Sequence, residues 1–168
     1  MNADLTYQPE SGAFEEVHFE QPTVWNSQVF SWVKFEDQEY QDWFGSFRGE
    51  PLGHLAISEL TGNVMIPTED GTYLVNINSR QLVKFYGVEH QIRSVLTAPN
   101  GRTFILASHG ELYRTNEEHE LVHIPCQLNM DFIKLKSISG NNVEFEFEEI
   151  GIWSQTRGTL NTETWRVE

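Results

Sequence analysis

Residues 55–85, LAISELTGNVMIPTEDGTYLVNINSRQLVKF, lie over residues 94–124, SVLTAPNGRTFILASHGELYRTNEEHELVHI, without a gap when the chain is shifted against itself by 39 positions. The shift places Gly62 on Gly101, Gly71 on Gly110, Ile66 on Ile105 and Leu82-Val83 on Leu121-Val122, five identities in 31 positions. A period near 40 in a β-patterned chain is the spacing of one four-stranded propeller blade. The stretch therefore defines an architecture before it defines any chemistry.

Working outward, period-2 alternation and short β-branched or aromatic runs recur along the whole chain, while apolar residues at i, i+3, i+4 and i+7 are scarce. Strands are expected at 15–20, 29–35, 43–47, 54–58, 63–67, 72–77, 81–86, 92–98, 103–108, 111–115, 120–124, 132–137, 142–148 and 162–167. One short helix is expected at 36–43, capped by Asp37, with Tyr40, Trp43 and Phe44 on one face. Asp70-Gly71, Asn100-Gly101 and Gly140-Asn141-Asn142 sit between strand-like segments and supply the positive φ of hairpin tips. A third unit is suggested by Gly140, 39 past Gly101, and Leu160, 39 past Leu121, with an insertion near Gly151. The first 50 residues do not follow the pattern. The expected fold is mostly β: antiparallel meanders with two blade-like repeats, packed as an open propeller-like array or a β-sandwich, with few or no helices. The expected organisation is one domain, 1–168, made of an acidic aromatic segment (1–50), the two repeats (53–125) and a C-terminal β segment (126–168).

The segment His90–Arg114, HQIRSVLTAPNGRTFILASHGELYR, resembles a blade of the WD-repeat and related propeller families. It has a strand, a small-residue and proline step, an Asn-Gly-Arg turn, a second strand, and a glycine before a third strand ending in an aromatic and a base. The resemblance extends over residues 53–125, and the Trp-Asp dipeptide of the family is absent. It implies four-stranded blades that bind partners through the loops between them. A closed ring takes at least about four blades, and two are legible.

Twenty-five acidic against 11 basic residues give a formal net charge of −14. A field of that sign repels nucleic acid and anionic membrane and attracts a cationic protein. Residues 1–50 hold ten acids against two bases, Lys34 and Arg48. The single cysteine, Cys126, forbids an intramolecular disulfide, and the N-terminus shows no basic-then-apolar leader; a cytoplasmic protein without a membrane span is expected.

Catalytic patterns are not evident. Among the six histidines, His119 and His123 are four apart, but EEHELVHIP reads as a turn and a strand, where such residues stand about 13 Å apart. His18 alternates with Glu16 and Glu20 on a polar strand face. Ser108-His109 point to opposite faces of a strand, Cys126 reads as a structural thiol, and Gly45, Gly49 and Gly53 lack the helix of a phosphate loop. No metal, no cofactor and no enzymatic activity are expected.

Two acidic features remain. Glu36, Asp37, Glu39 and Asp42 crowd around Tyr40, Trp43 and Phe44; in the stretch 40–54, Trp43, Phe44 and Phe47 either glue the N-terminal segment to the first repeat or, with the tryptophan exposed beside Arg48, serve as binding anchors. In NVEFEFEE, Val143, Phe145 and Phe147 face one way and Glu144, Glu146 and Glu148 the other, about 6.8 Å apart. The expected partner-binding residues are thus Glu36, Asp37, Glu39, Asp42, Trp43, Glu144, Glu146 and Glu148, and the expected partner is a basic protein. In size and charge the chain resembles bacterial immunity proteins, which neutralise cationic nuclease toxins; no motif carries that resemblance. The alternatives are a propeller-like interaction or scaffold module and a hydrolase with a dispersed site.

Overall fold

A computed structural model describes residues 1–21, 27–152 and 154–168. Among the described residues sixteen strands form four sheets of four strands each, and the one helical element is a single 3-10 turn, Val88–His90. The mostly β expectation therefore holds. No described helix is long and apolar enough to cross a membrane.

The chain divides into two compact units, Met1–Gln91 and Ile92–Glu168. In the first unit, β1 (Asn2–Thr6), β2 (Glu15–Phe19), β3 (Phe30–Glu36) and β4 (Asp42–Arg48) form one sheet in the order β1-β3-β4-β2. Its β2–β4 pairing is parallel, whereas its other pairings are antiparallel. The next sheet is a meander of β5 (Ala56–Ser58), β6 (Asn63–Thr68), β7 (Gly71–Asn76) and β8 (Gln81–Gly87).

Aromatic residues join these two sheets. Phe35 stacks on Trp43 with ring centroids 4.1 Å apart, and Phe47 meets Tyr73 of the meander edge-on at 5.2 Å. All four rings are fully buried in one core with Val64, Ile66 and Val75. Burial of each such side chain contributes on the order of 1.5–3 kcal/mol.

The second unit also has two four-stranded sheets, and both are meanders. β9 (Ser94–Thr97), β10 (Phe104–Ala107), β11 (Leu112–Thr115) and β12 (Leu121–Ile124) form one; β13 (Met130–Ser139), β14 (Asn142–Glu149), β15 (Gln155–Asn161) and β16 (Arg166–Val167) form the other. Ile105, Leu112 and Ile124 from the first meander share a core with Ile133, Phe145 and Leu160 from the second.

The 39-residue shift carries β5 onto β9 and brings β6, β7 and β8 onto the positions of β10, β11 and β12. The repeat is thus a repeated sheet. The third suggested unit is real as well, with one change of register. Gly140 occupies the β13–β14 turn as Gly101 occupies the β9–β10 turn, but Leu160 lies in a third strand where Leu121 opens a fourth. The cause is the longer β14 and the turn after it, which delay the following strands by several residues. That delay also corrects the strand expected at 162–167: β15 precedes it and β16 is confined to Arg166–Val167.

Candidate functional site

The segment expected to be helical at 36–43 is a tight turn between antiparallel strands. Asp37 caps it, but as a turn: its Oδ1 accepts the amides of Glu39 and Gln41, both at 2.9 Å, while its own amide donates to the Gln41 carbonyl at 3.1 Å. Tyr40 takes φ 59° to close the loop. A helix would need these amides for its own ladder, and the aspartate captures them first.

Asp37 is buried, and its Oδ2 receives Arg80 Nη2 at 3.3 Å; the same guanidinium pairs with Glu15. The amides of Gln41 and Glu39, with Arg80 beside them, hold the Asp37 carboxyl below its ordinary value. Arg80 is thereby fixed between two carboxylates, its guanidinium carbon 6.0 Å from the Trp43 ring.

Two further turns join this end of the unit. The amide of Gln38 donates to Asn78 Oδ1 at 3.3 Å, linking the β3–β4 and β7–β8 turns. A side chain at Gly62 would meet Asn78 Nδ2 at 2.8 Å, and Ile77 donates to the Gly62 carbonyl, so the β5–β6 turn is adjacent too. On these turns Tyr40 is 80% and Leu60 66% exposed, flanked by exposed Glu39 and Glu59. An aromatic and an aliphatic side chain are thus presented to solvent on turns that each hydrogen-bond to the 77–80 turn.

The other expected residues are placed differently. Glu36 ends β3, half-buried, opposite Asp42, and Asp42 pairs with Lys34 at 2.6 Å. Trp43 is fully buried, so it is a core residue and not a surface anchor; the gluing role holds for it and for Phe47. Glu144, Glu146 and Glu148 lie in the second unit. They do share one face of β14, opposite buried Val143, Phe145 and Phe147. Yet the face is not a bare acidic stripe. Glu146 meets Lys136 at 2.7 Å and Arg157 at 3.6 Å, with its carboxyl held below the ordinary value first by Lys136, and Glu144 accepts from Ser137 at 3.0 Å. Side chains of the neighbouring strands thus offset the like charges of Glu144 and Glu146.

Leu60, Glu59, Asn78 and Arg80 escaped the sequence reading. Asn78-Ser79-Arg80, a polar run between two apolar strands, was the signal that a turn lay there. The histidines make local contacts: His18 Nδ1 lies 2.6 Å from Ser46 Oγ, and His109 Nδ1 lies 3.5 Å from Asp131. His119 sits in the β11–β12 turn with φ 61°. Among the described residues no three His, Cys, Asp or Glu side chains gather as metal ligands.

The chain matches no protein-family profile and no curated protein. It is similar in fold to solved structures. One, described as Kuenenia stuttgartiensis hydrazine synthase, superimposes with a TM-score of 0.62 at 15% identity over 89% of this chain and 51% of that one. Another, the extracellular domain of the putative one component system BT4673 from B. thetaiotaomicron, gives 0.53 at 12% identity over 83% of this chain and 20% of that one. The WD40 domain of SCAP from fission yeast also matches, over 99% of this chain, but at a TM-score of 0.36. The chain spans about half the length of the first of these structures and a fifth of the second. At such identities the likeness is one of fold.

Proposed function

We propose that this chain is a non-catalytic protein-interaction module that docks a basic protein through the turns 37–41, 59–62 and 77–80. The observation that carries the reading is the state of the cations in residues 1–91. That unit holds fourteen acidic and four basic residues, and Lys34, Arg48 and Arg80 all close on carboxylates of the unit itself. The unit carries a surplus of ten negative charges, and exposed Glu39 and Glu59 flank two exposed apolar anchors, Tyr40 and Leu60. Aromatic and aliphatic anchors supply affinity when desolvated, and an acidic surround steers a cationic partner to them. A cationic nuclease toxin, its nucleic-acid site covered by this end, is the specific partner that such a surface suits.

The test starts from the partner captured on the full chain from the source cell. Its association rate, followed by stopped-flow fluorescence, should fall steeply with salt. Replacing Glu39 and Glu59 by lysine should slow association at least tenfold at low salt, and Tyr40→Ala should speed dissociation. A neutral partner whose association ignores salt would overturn the reading.

A further inference from the structure

The second unit carries a cleft of different character. β12 and β16 are the outermost strands of its two sheets, and between them lies a cleft of about 790 Å³, inside the range of about 300–1,000 Å³ typical of ligand sites. Its apolar lining includes Val122, Ile124, Trp165 and Val167, and its cationic lining is Arg114 and Arg166. Two arginines and one carboxylate, Glu168, line it, in a chain where acids outnumber bases by 25 to 11.

Neither arginine forms an ion pair among the described residues, whereas Lys34, Arg48, Arg80, Lys136 and Arg157 all do. The Arg114 guanidinium instead lies over the Trp165 ring, 4.8 Å from its centroid. A guanidinium stacked on an indole keeps its in-plane donors free, and those donors match a carboxylate in a two-point fork.

The backbone beside it is also available. Thr159 and Glu168 exchange both main-chain hydrogen bonds, at 3.1 and 2.8 Å. In an antiparallel ladder the next residue, Val167, then turns its N–H and C=O away from β15, toward the free edge of the sheet. An unpaired edge is a template for an added strand, and such addition is a recurring mode of peptide recognition.

We infer that this cleft binds an extended acidic segment of another protein, which adds to the β16 edge, places alternate apolar side chains on Val122, Ile124 and Val167, and sets a carboxylate on Arg114 and Arg166. Charge complementarity selects this occupant: a basic segment would meet two arginines set against the single carboxylate side chain of Glu168. The inference concerns residues 92–168 and does not rest on the proposed role of residues 1–91.

The experiment uses the full chain and two fluorescein-labelled nine-residue peptides, Thr-Glu-Val-Glu-Val-Glu-Val-Thr-Gly and its counterpart with lysine for glutamate, read by fluorescence anisotropy. The net charge of the protein as a whole disfavours an acidic peptide, so non-specific attraction would favour the lysine peptide. The expected result is tighter binding of the acidic peptide, weakened at least tenfold by Arg166→Glu and by Arg114→Ala, and weakened less by Arg114→Lys. Arg166 is exposed, so its replacement tests the site without threatening the fold. Protection of the Val167 amide from hydrogen exchange should accompany binding. Tighter binding of the lysine peptide, or acidic binding untouched by both arginine variants, would overturn the inference. Binding of pyrophosphate at Arg114 without binding of the acidic peptide would also overturn it and assign the arginines to a small anion.

Discussion

Asp37 joins three parts of the first unit through one carboxylate: the two amides of its own turn, Arg80 from the β7–β8 turn and, through that guanidinium, Glu15 at the start of β2. Because its folded value is depressed, its contribution is fully present above the pH at which an unfolded aspartate titrates, about 4. It is lost as the pH falls through the folded value. Hydrogen bonds to charged groups are worth about 1.5–3 kcal/mol each, and an amide side chain keeps part of the turn. Asp37→Asn is therefore expected to cost about 1–3 kcal/mol at pH 7, with a narrower gap to the unaltered protein at pH 3. Thermal unfolding at the two pH values checks this, and an equal gap at both would show that the charge is irrelevant. Tyr73 presents the opposite case. Burial pushes its phenol up to about 12 against an opposing effect of the nearby Arg48 backbone, and among the described residues its hydroxyl has no partner in good hydrogen-bonding geometry. Removing a buried, unsatisfied hydroxyl while keeping the ring relieves a desolvation cost. Tyr73→Phe is expected to leave stability unchanged or raise it by up to about 1 kcal/mol, measured by urea unfolding.

Among the strands, β14 and β15 meet at a residue chosen for its absent side chain. Phe145 lies opposite Gly158, and a Cβ there would stand 2.3 Å from the phenyl Cζ. The ring occupies the place of the missing side chain, so Gly158→Ala must displace a fully packed aromatic. The expected loss is about 1–3 kcal/mol, read as a lowered Tm with the far-UV spectrum unchanged. Glycines were also what made the meanders legible. Gly62, Gly101 and Gly140, each 39 residues apart, have φ of 71°, 69° and 59° at the first hairpin of their sheets, a conformation that favours glycine. A backbone requirement repeated at fixed spacing leaves a mark in sequence. The first sheet leaves none, because its order β1-β3-β4-β2 joins strands distant in the chain, with β1 too short and too exposed to show alternation. The 36–43 turn was misread for a related reason: aspartate at a helix cap and aspartate in a turn use the same acceptor, and only the partner strand decides. In the candidate site, the acids at 36–42 were visible as composition. Leu60 and Arg80 were not, because turns meet in space through Asn78 without any shared pattern.

For the whole chain, two electrostatic effects oppose each other. Net charge of −14 makes the folded state repel itself, while ion pairs such as Lys34–Asp42 and Arg48–Glu20 attract. Exposed pairs are worth about 0–1 kcal/mol each, and four basic residues against fourteen acids leave a surplus of ten charges within residues 1–91. Salt shortens the Debye length from about 30 Å at 0.01 M to about 8 Å at 0.15 M, which weakens long-range repulsion more than short ion pairs. The Tm is therefore expected to rise with sodium chloride; a fall would mean that the pairs dominate. The same balance ties stability to function. Reversing Glu39 and Glu59 to lysine removes repulsion at exposed positions, so the double variant should melt higher than the unaltered chain at low salt, with the difference vanishing near 0.5 M as screening replaces the substitution. If the acids at these turns are kept for a basic partner, the variant that is more stable must also be the one that associates more slowly. Calorimetry and stopped-flow on one pair of proteins test both halves. A variant that gained stability and kept its association rate would detach the acidic turns from partner binding.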